Sequence, residues 1–267
     1  MDFMQDTQRQ VDDLLNKRIP GEHESPEKLH AAMRYAVFSG GKRLRPMFCV
    51  AAAQVLGGTP EQVLLPAAAI ELLHAYTLIH DDLPAMDNDD MRRGKPTVHK
   101  QFDEATAILA GDALLTLAFE WLGETGDARM VQALAYATGS RGTVGGQQDD
   151  MDAKGHAITK EEVLIIHARK TAALFGAACM LGGIAAGGAE EQIHALQIFG
   201  LEFGMTFQML DDVVDSDAVT LNVISKDEAL QLAREHEQLA YKAIDVFGDA
   251  AKNLRDIAAF AVSSFGV

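Results

Sequence analysis

A chain of 267 residues, 48% of them hydrophobic, has enough apolar surface for one large domain and is not a disordered chain. Its net charge of −16, from 39 acidic against 23 basic residues, argues against a general nucleic-acid binder; an anionic partner would need basic groups gathered in one place. Cys49 and Cys179 lie far apart in Ala-rich surroundings without metal-ligand spacing, and are expected to be buried thiols in a reducing compartment.

The N-terminal MDFMQDTQRQVDDLL mixes charged and apolar residues and lacks the basic start and apolar core of a leader. No uninterrupted apolar run approaches the ~20 residues that span a bilayer. A cytoplasmic protein without membrane insertion is expected. Ser25-Pro26-Glu27 and Thr59-Pro60-Glu61 then offer a hydroxyl cap followed by proline at the first helical position. Between these starts lies Gly40-Gly41-Lys42-Arg43-Leu44-Arg45-Pro46, three cations behind a flexible glycine pair.

The next segment keeps a helical stripe through Ile70, Leu73 and Thr77 and runs into DDLPAMDNDD at residues 81 to 90. His74, Thr77, Leu78 and Asp81 share one helix face, so the carboxylates gather at the helix C-terminus, where the dipole already places negative charge. A compensating cation is expected, and Arg92-Arg93-Gly94-Lys95-Pro96 follows at once. Further breaks fall at GETGD (123 to 127), the glycine pair 182 and 183, and AGGAE (186 to 190), with a capping box at Thr159 and Glu162. The apolar segment LQIFGLEFGMTFQMLDDVVD brings Asp211, Asp212 and Asp215; Asp211 and Asp215 are about 6 Å apart along one helix face. Strand signals and solenoid repeats are missing, which predicts an all-α fold in one large helical bundle over 1–267.

Either acidic cluster alone would fit solvated or ion-paired helix ends, and Arg92 and Arg93 alone would fit charge balance. Together they point elsewhere. Hard carboxylate oxygens without cysteine or paired histidine favour Mg²⁺, with Mn²⁺ second, sharing its shell with substrate phosphates. DNDDMRRGKPTV is not an EF-hand, because it lacks glycine at the sixth position and glutamate at the twelfth. Guanidinium forks and ammonium groups match the phosphate oxygens of such an anion.

The motifs GGKRLRP, HAYTLIHDDLPAMDNDDMRRGKPTVH, AGDALL, GGQQDD, Lys170-Thr171 and FQMLDDVVD occur in the order found in trans isoprenyl diphosphate synthases. The sequence resembles that family, bacterial farnesyl diphosphate synthases in particular. The resemblance implies an isoprenoid synthase bundle with a central apolar cavity, Mg²⁺ (or Mn²⁺), isopentenyl and allylic diphosphate substrates, and a homodimer. It implies a metal set of Asp81, Asp82, Asp87, Asp211, Asp212 and Asp215, with Asp81, Asp87 and Asp211 as direct ligands. Lys42, Arg45, His74 and Arg93 match positions that bind isopentenyl diphosphate. Arg92 and Lys170 match positions for the allylic diphosphate. Thr171 and Gln208 match groups near the developing cation, and Lys170, Thr171 and Gln208 form the expected catalytic set.

Tyr76 and Thr77 match positions that set chain length, and an aromatic floor at Tyr76 implies the C15 farnesyl product. Gln147 and Asp150 are expected to support, first, the packing of their helix or else the metal site; His80, Phe102, Phe119 and Phe175 are expected to be structural, and Asn88, Asp89 and Asp90 to contribute electrostatic potential or helix capping. The resemblance thins after Asp215, where about fifteen to twenty residues with two lysine-bearing motifs are expected and Ser216-Asp217-Ala218 stands instead. A missing or shortened loop is therefore expected near 216–218. Three other readings compete: a geranyl or geranylgeranyl diphosphate synthase, a non-catalytic regulatory subunit of a prenyl synthase, and a terpene cyclase. GGKRLRP argues against the last, because a cyclase has no second diphosphate substrate to bind.

Overall fold

The structure, a computed structural model, describes residues 3–215 and 218–266. The shortened loop expected near 216–218 falls on residues 216 and 217, which lie outside the described residues. The expected all-α architecture is observed. The first helices are α1 (Phe3–Arg18), α2 (Glu27–Val37), α3 (Leu44–Val55) and α4 (Pro60–Asp81). A two-residue antiparallel ladder follows, β1 (Met91–Arg92) with β2 (Lys95–Pro96), which no sequence signal announced. Then come α5 (Val98–Gln101), α6 (Glu104–Glu124), α7 (Ala128–Thr138), α8 (Thr143–Ala153) and α9 (Lys160–His167), which passes through a π turn at Ala168–Ala172 into α10 (Ala173–Ala185). The long α11 (Glu190–Asp215) precedes α12 (Ala218–Leu221), α13 (Lys226–Ile244), a 3-10 stretch at Asp245–Ala251 and α14 (Lys252–Ser263).

These elements form two compact units, one of Met1–Pro46 with Leu64–Asp127 and one of Met47–Val63 with Ala128–Val267. In the first, α1 buries Val11 and Leu15, and α4 buries Ile70, Leu72 and Leu73 completely. Trp121 of α6 is buried beneath the Arg18 guanidinium, 5.0 Å from the ring centre, and Arg18 also pairs with Glu124 at 2.5 Å. In the second unit Phe48, Phe175, Phe199 and Phe203 form the centre of the core, with Phe48 and Phe203 ring centres 4.6 Å apart. Each such ring contributes about 1.5–3 kcal/mol through burial.

The local signals hold in most places. Thr159 and Glu162 form the capping box, and α4 begins at Pro60 with the Thr59 N–H donating to Gln62 Oε1 at 2.9 Å. Two expectations are corrected. Ser25 does not cap α2: the helix begins one residue later, with Pro26 at the cap position and its carbonyl accepting from the N–H groups of Leu29 and His30. Gly182 and Gly183 lie inside α10 instead of ending it; close packing requires glycine at 182, where a Cβ would stand 2.1 Å from the Cys49 carbonyl oxygen. The pair permits close packing and breaks nothing. Both cysteines are free and buried.

By length and composition, 60–81, 104–124 and 160–185 are each long and apolar enough to cross a membrane; the share of the apolar stretch buried within the protein is 67%, 44% and 61% respectively.

Candidate active site

The basic turn in the first unit is built by an arginine that the sequence grouped with its neighbours. Gly40, Gly41 and Arg43 all take positive φ, at 108°, 131° and 52°. Arg43 is buried, donating to Glu71 at 2.7 Å, Asp12 at 2.9 Å and the Val37 carbonyl at 2.7 Å. Of the three cations in GGKRLRP it is therefore occupied as an internal clamp. Lys42 beside it is exposed, while Arg45 Nη1 lies 3.4 Å from His74 Nε2. Burial pulls the Arg45 guanidinium down to about 10. Burial, with Arg45 and Arg93 nearby, holds His74 well below its ordinary value, so its imidazole is neutral at pH 7.

Arg93 is placed by the hairpin that joins β1 to β2, at φ 53° with Gly94 at 76°. Its guanidinium donates to the Gly40 carbonyl and lies against Gly41. His74, Arg92, Arg93 and Glu71 line one pocket together with Tyr35 and Arg43. A Cβ on Gly41 would come within 2.6 Å of Arg93 Nη1 in a conformation that L residues avoid. Gly41→Ala is expected to weaken binding of inorganic diphosphate about tenfold by calorimetry, the worth of one charge-assisted hydrogen bond. An unchanged affinity would remove Arg93 from the anion site.

The first acidic cluster folds back over the end of α4. The Asp87 N–H donates to the Asp81 carbonyl at 3.0 Å and the Asn88 N–H to the Leu83 carbonyl at 3.1 Å, with Asn88 at φ 55°. Asp81 and Asp87 remain partly exposed, whereas Asp82 is buried against Arg92, with Nε at 2.7 Å and Nη2 at 2.6 Å. Burial raises the Asp82 carboxyl against the pull of Arg92. Arg92 is thus the cation that the helix terminus called for. Further back on α4, Tyr76 is buried with its ring edge-on to His80 at 5.0 Å, and the Thr77 hydroxyl donates to the His74 carbonyl at 2.8 Å.

In the second unit the π turn at Ala168–Ala172 carries Lys170 and Thr171, a distortion often found at functional sites. Lys170 Nζ pairs with Asp150 at 2.6 Å. A Cβ on Gly146 would stand 2.2 Å from the Lys170 backbone nitrogen, so this glycine of GGQQDD lets α8 lie directly on the turn. Thr171 Oγ1 donates to Gln208 Oε1 at 2.6 Å, and Gln208 Nε2 donates to Asp212 Oδ1 at 2.6 Å. The other oxygen, Asp212 Oδ2, accepts from Thr220 Oγ1 at 2.5 Å and His167 Nε2 at 2.9 Å. Burial pushes the Asp212 carboxyl up, but these donors, His167 first, outweigh it and leave it below the usual carboxylate range. Asp211 is partly exposed and Asp215 exposed on the same helix.

Sequence reading missed Glu71, Asp12, His167 and Thr220. Glu71 had a visible signal, as a carboxylate alone in an apolar helical stripe; His167 and Thr220 had none. Among the described residues no group of three or more His, Cys, Asp or Glu side chains is arranged to hold a metal by itself. The donor chemistry of each acidic cluster, hard carboxylate oxygens, is nevertheless of the kind that suits a hard divalent cation whose shell is completed by water and an anionic ligand.

The family model described as polyprenyl synthetase matches residues 26–228. The chain is 48% identical over 200 residues to geranylgeranyl pyrophosphate synthase 7, chloroplastic, of Arabidopsis thaliana, covering 71% of this chain and 57% of that protein. It is 43% identical over 217 residues to the heterodimeric geranylgeranyl pyrophosphate synthase large subunit 1, chloroplastic, of the same plant, covering 77% and 58%. The chain thus spans under two thirds of the length of these relatives. Among solved structures, an FPP/GFPP synthase from Zymomonas mobilis superposes with a TM-score of 0.91 at 38% identity, covering 97% of this chain and 98% of that one. A geranyltransferase from Legionella pneumophila does so at 0.87 and 35%, covering 99% and 96%.

Proposed function

Since the chain belongs to the polyprenyl synthetase family, we propose that it is a trans-prenyltransferase condensing isopentenyl diphosphate with dimethylallyl or geranyl diphosphate to farnesyl diphosphate. The observation that carries this reading is the pocket in the first unit, lined by His74, Asp82, Arg92 and Arg93, with Arg45 beside His74 and Asp81 about two helical turns further along α4. Such a juxtaposition suits a diphosphate held by cations on one side and by a metal bridge on the other.

In the first unit Asp81 and Asp87 would hold Mg²⁺, supported by Asp82, which is already bonded to Arg92; in the second unit Asp211 would hold Mg²⁺, supported by Asp215 and by Asp212, which already faces three protein donors. When bound, Mg²⁺ supplies charge neutralisation for the departing diphosphate. Lys42, Arg45, His74 and Arg93 bind isopentenyl diphosphate; Arg92 of the first unit and Lys170 of the second are each a cation suited to an allylic diphosphate. The allylic carbon–oxygen bond breaks with both electrons leaving on diphosphate, and the double bond of isopentenyl diphosphate attacks the resulting cation. A proton is then lost to the released diphosphate. Thr171 and Gln208 present oxygen dipoles to the cation without reacting, and apolar surroundings exclude water.

Tyr76 is the floor that supports a C15 product. The two Arabidopsis relatives are named as geranylgeranyl synthases, which favours C20 as the second reading. We place the protein in the cytoplasm as a single-domain homodimer; Ile108 and Leu109 of α6, 45% and 57% exposed, offer an apolar face for a second copy.

The test is mass spectrometry of product from purified protein with Mg²⁺, isopentenyl diphosphate and dimethylallyl diphosphate, beside an EDTA control. Metal-dependent C15 is expected, and Tyr76→Ala is expected to lengthen it by at least one C5 unit. C20 from the unaltered chain rejects the floor and keeps the chemistry. No product from this diphosphate pair rejects the enzyme and turns attention to a regulatory subunit.

A further inference from the structure

The polar groups behind Thr171 form a one-way hydrogen-bond chain. Asp212 Oδ1 accepts from the Gln208 amide N–H while its Oδ2 faces Thr220 and His167, so Gln208 turns its Oε1 toward Thr171. Oε1 can only accept in turn, so the Thr171 hydroxyl must spend its single proton on Gln208. The lone pairs of Thr171 are then directed away from Gln208. At the head of the chain, Thr220 Oγ1 and His167 Nε2 both meet Asp212 Oδ2, at 2.5 and 2.9 Å. His167 Nδ1 is buried with no hydrogen-bond partner among the described residues, so a proton there would have no acceptor, whereas one on Nε2 has Asp212. All five side chains lie in the same unit, and Thr220, His167 and Asp212 are buried.

We propose that Thr220 and His167 are positioning residues that fix the Asp212 carboxylate and, through Gln208, the polarity of the Thr171 hydroxyl, so that it offers its negative end to a carbocation. This rests on the prenyl-transfer reading and deepens it. Asp212 then serves the cation through two intervening side chains, a role separate from holding the metal. The chain needs no proton movement during reaction. Its value is that the dipole is oriented beforehand and costs no reorganisation when charge develops.

The experiment compares two ligands by calorimetry in the presence of Mg²⁺: an allylic diphosphate analogue bearing a protonated tertiary amine at the cationic carbon, and its neutral carbon isostere. The unaltered protein is expected to prefer the ammonium analogue. Thr220→Val keeps the volume and removes the donor, and should reduce that preference about tenfold, as expected for a hydrogen bond to a charged group. Thr220→Ser restores the hydroxyl and should return the preference to within about twofold of the original. His167→Gln, which retains a donor of similar reach, serves as an independent variant if Thr220→Val fails to fold; it should lower the preference less than His167→Leu does.

Equal losses for both ligands, in Val and Ser alike, would reduce the role to packing and overturn the proposal. So would an unchanged preference accompanied by a raised Mg²⁺ requirement, which would return Asp212 to the metal. If neither ligand binds the unaltered protein, the prenyl-transfer reading itself fails, and that result is distinct from both.

Discussion

Asp81→Asn is expected to lower turnover of isopentenyl and dimethylallyl diphosphates about a thousandfold while raising thermal stability slightly. The substitution is isosteric, and it removes a partly exposed carboxylate from the end of α4. Neutralising a negative charge at a helix C-terminus should stabilise by about 0.3–1 kcal/mol. Opposite signs for stability and activity would therefore identify Asp81 as a charge kept for chemistry.

Asp82→Asn gives the contrast. Asp82 is buried with both Arg92 nitrogens within 2.7 Å, so its loss should lower the melting temperature as well as turnover. Paired measurements of kcat and Tm on the two variants decide the matter. If Asp81→Asn keeps turnover within about tenfold, it is not a direct metal ligand and the first acidic cluster must act otherwise.

The difference between these neighbours was only partly legible in sequence. The helical run into DDLPAMDNDD and the need for a cation at its end follow from spacing and the helix dipole, which act locally. What was hidden depends on residues distant in the chain. Arg43 reads only as one of three cations beside Lys42 and Arg45 because nothing nearby reveals Asp12 or Glu71, and burial is a property of the fold. The π turn at Ala168–Ala172 escapes a 3.6-residue periodicity that only regular helix obeys. Gly182 and Gly183 read as a break because glycine marks both chain reversal and close approach, and only packing against Cys49 distinguishes them. Thr220 carried no signal at all: a threonine in a short helix becomes informative only once Asp212 is found beside it.

Glu71→Leu is expected to be the most destabilising single substitution in the first unit. The Arg43 and Glu71 side chains are each 4% exposed and 2.7 Å apart, so removing the carboxylate strands a buried guanidinium at a cost of about 3–5 kcal/mol. For a chain of this size that corresponds to a fall in Tm on the order of 10 °C. Asp12, 35% exposed, is the lesser partner, and Asp12→Asn should cost about 1 kcal/mol or less. The loss extends to binding, since Arg43 also holds the Val37 carbonyl from a positive-φ conformation that a non-glycine residue adopts only under constraint. Releasing it would let the 40–45 turn relax and carry Lys42 and Arg45 out of register with His74. Replacing both buried partners, Arg43→Met with Glu71→Leu, should recover much of the stability without recovering diphosphate affinity, because a hydrophobic pair removes the stranded charge but does not impose the turn. Equal melting temperatures for Glu71→Leu and Asp12→Asn would show that the clamp contributes no more than a surface pair. Recovered affinity in the double variant would mean that the turn holds its shape without Arg43.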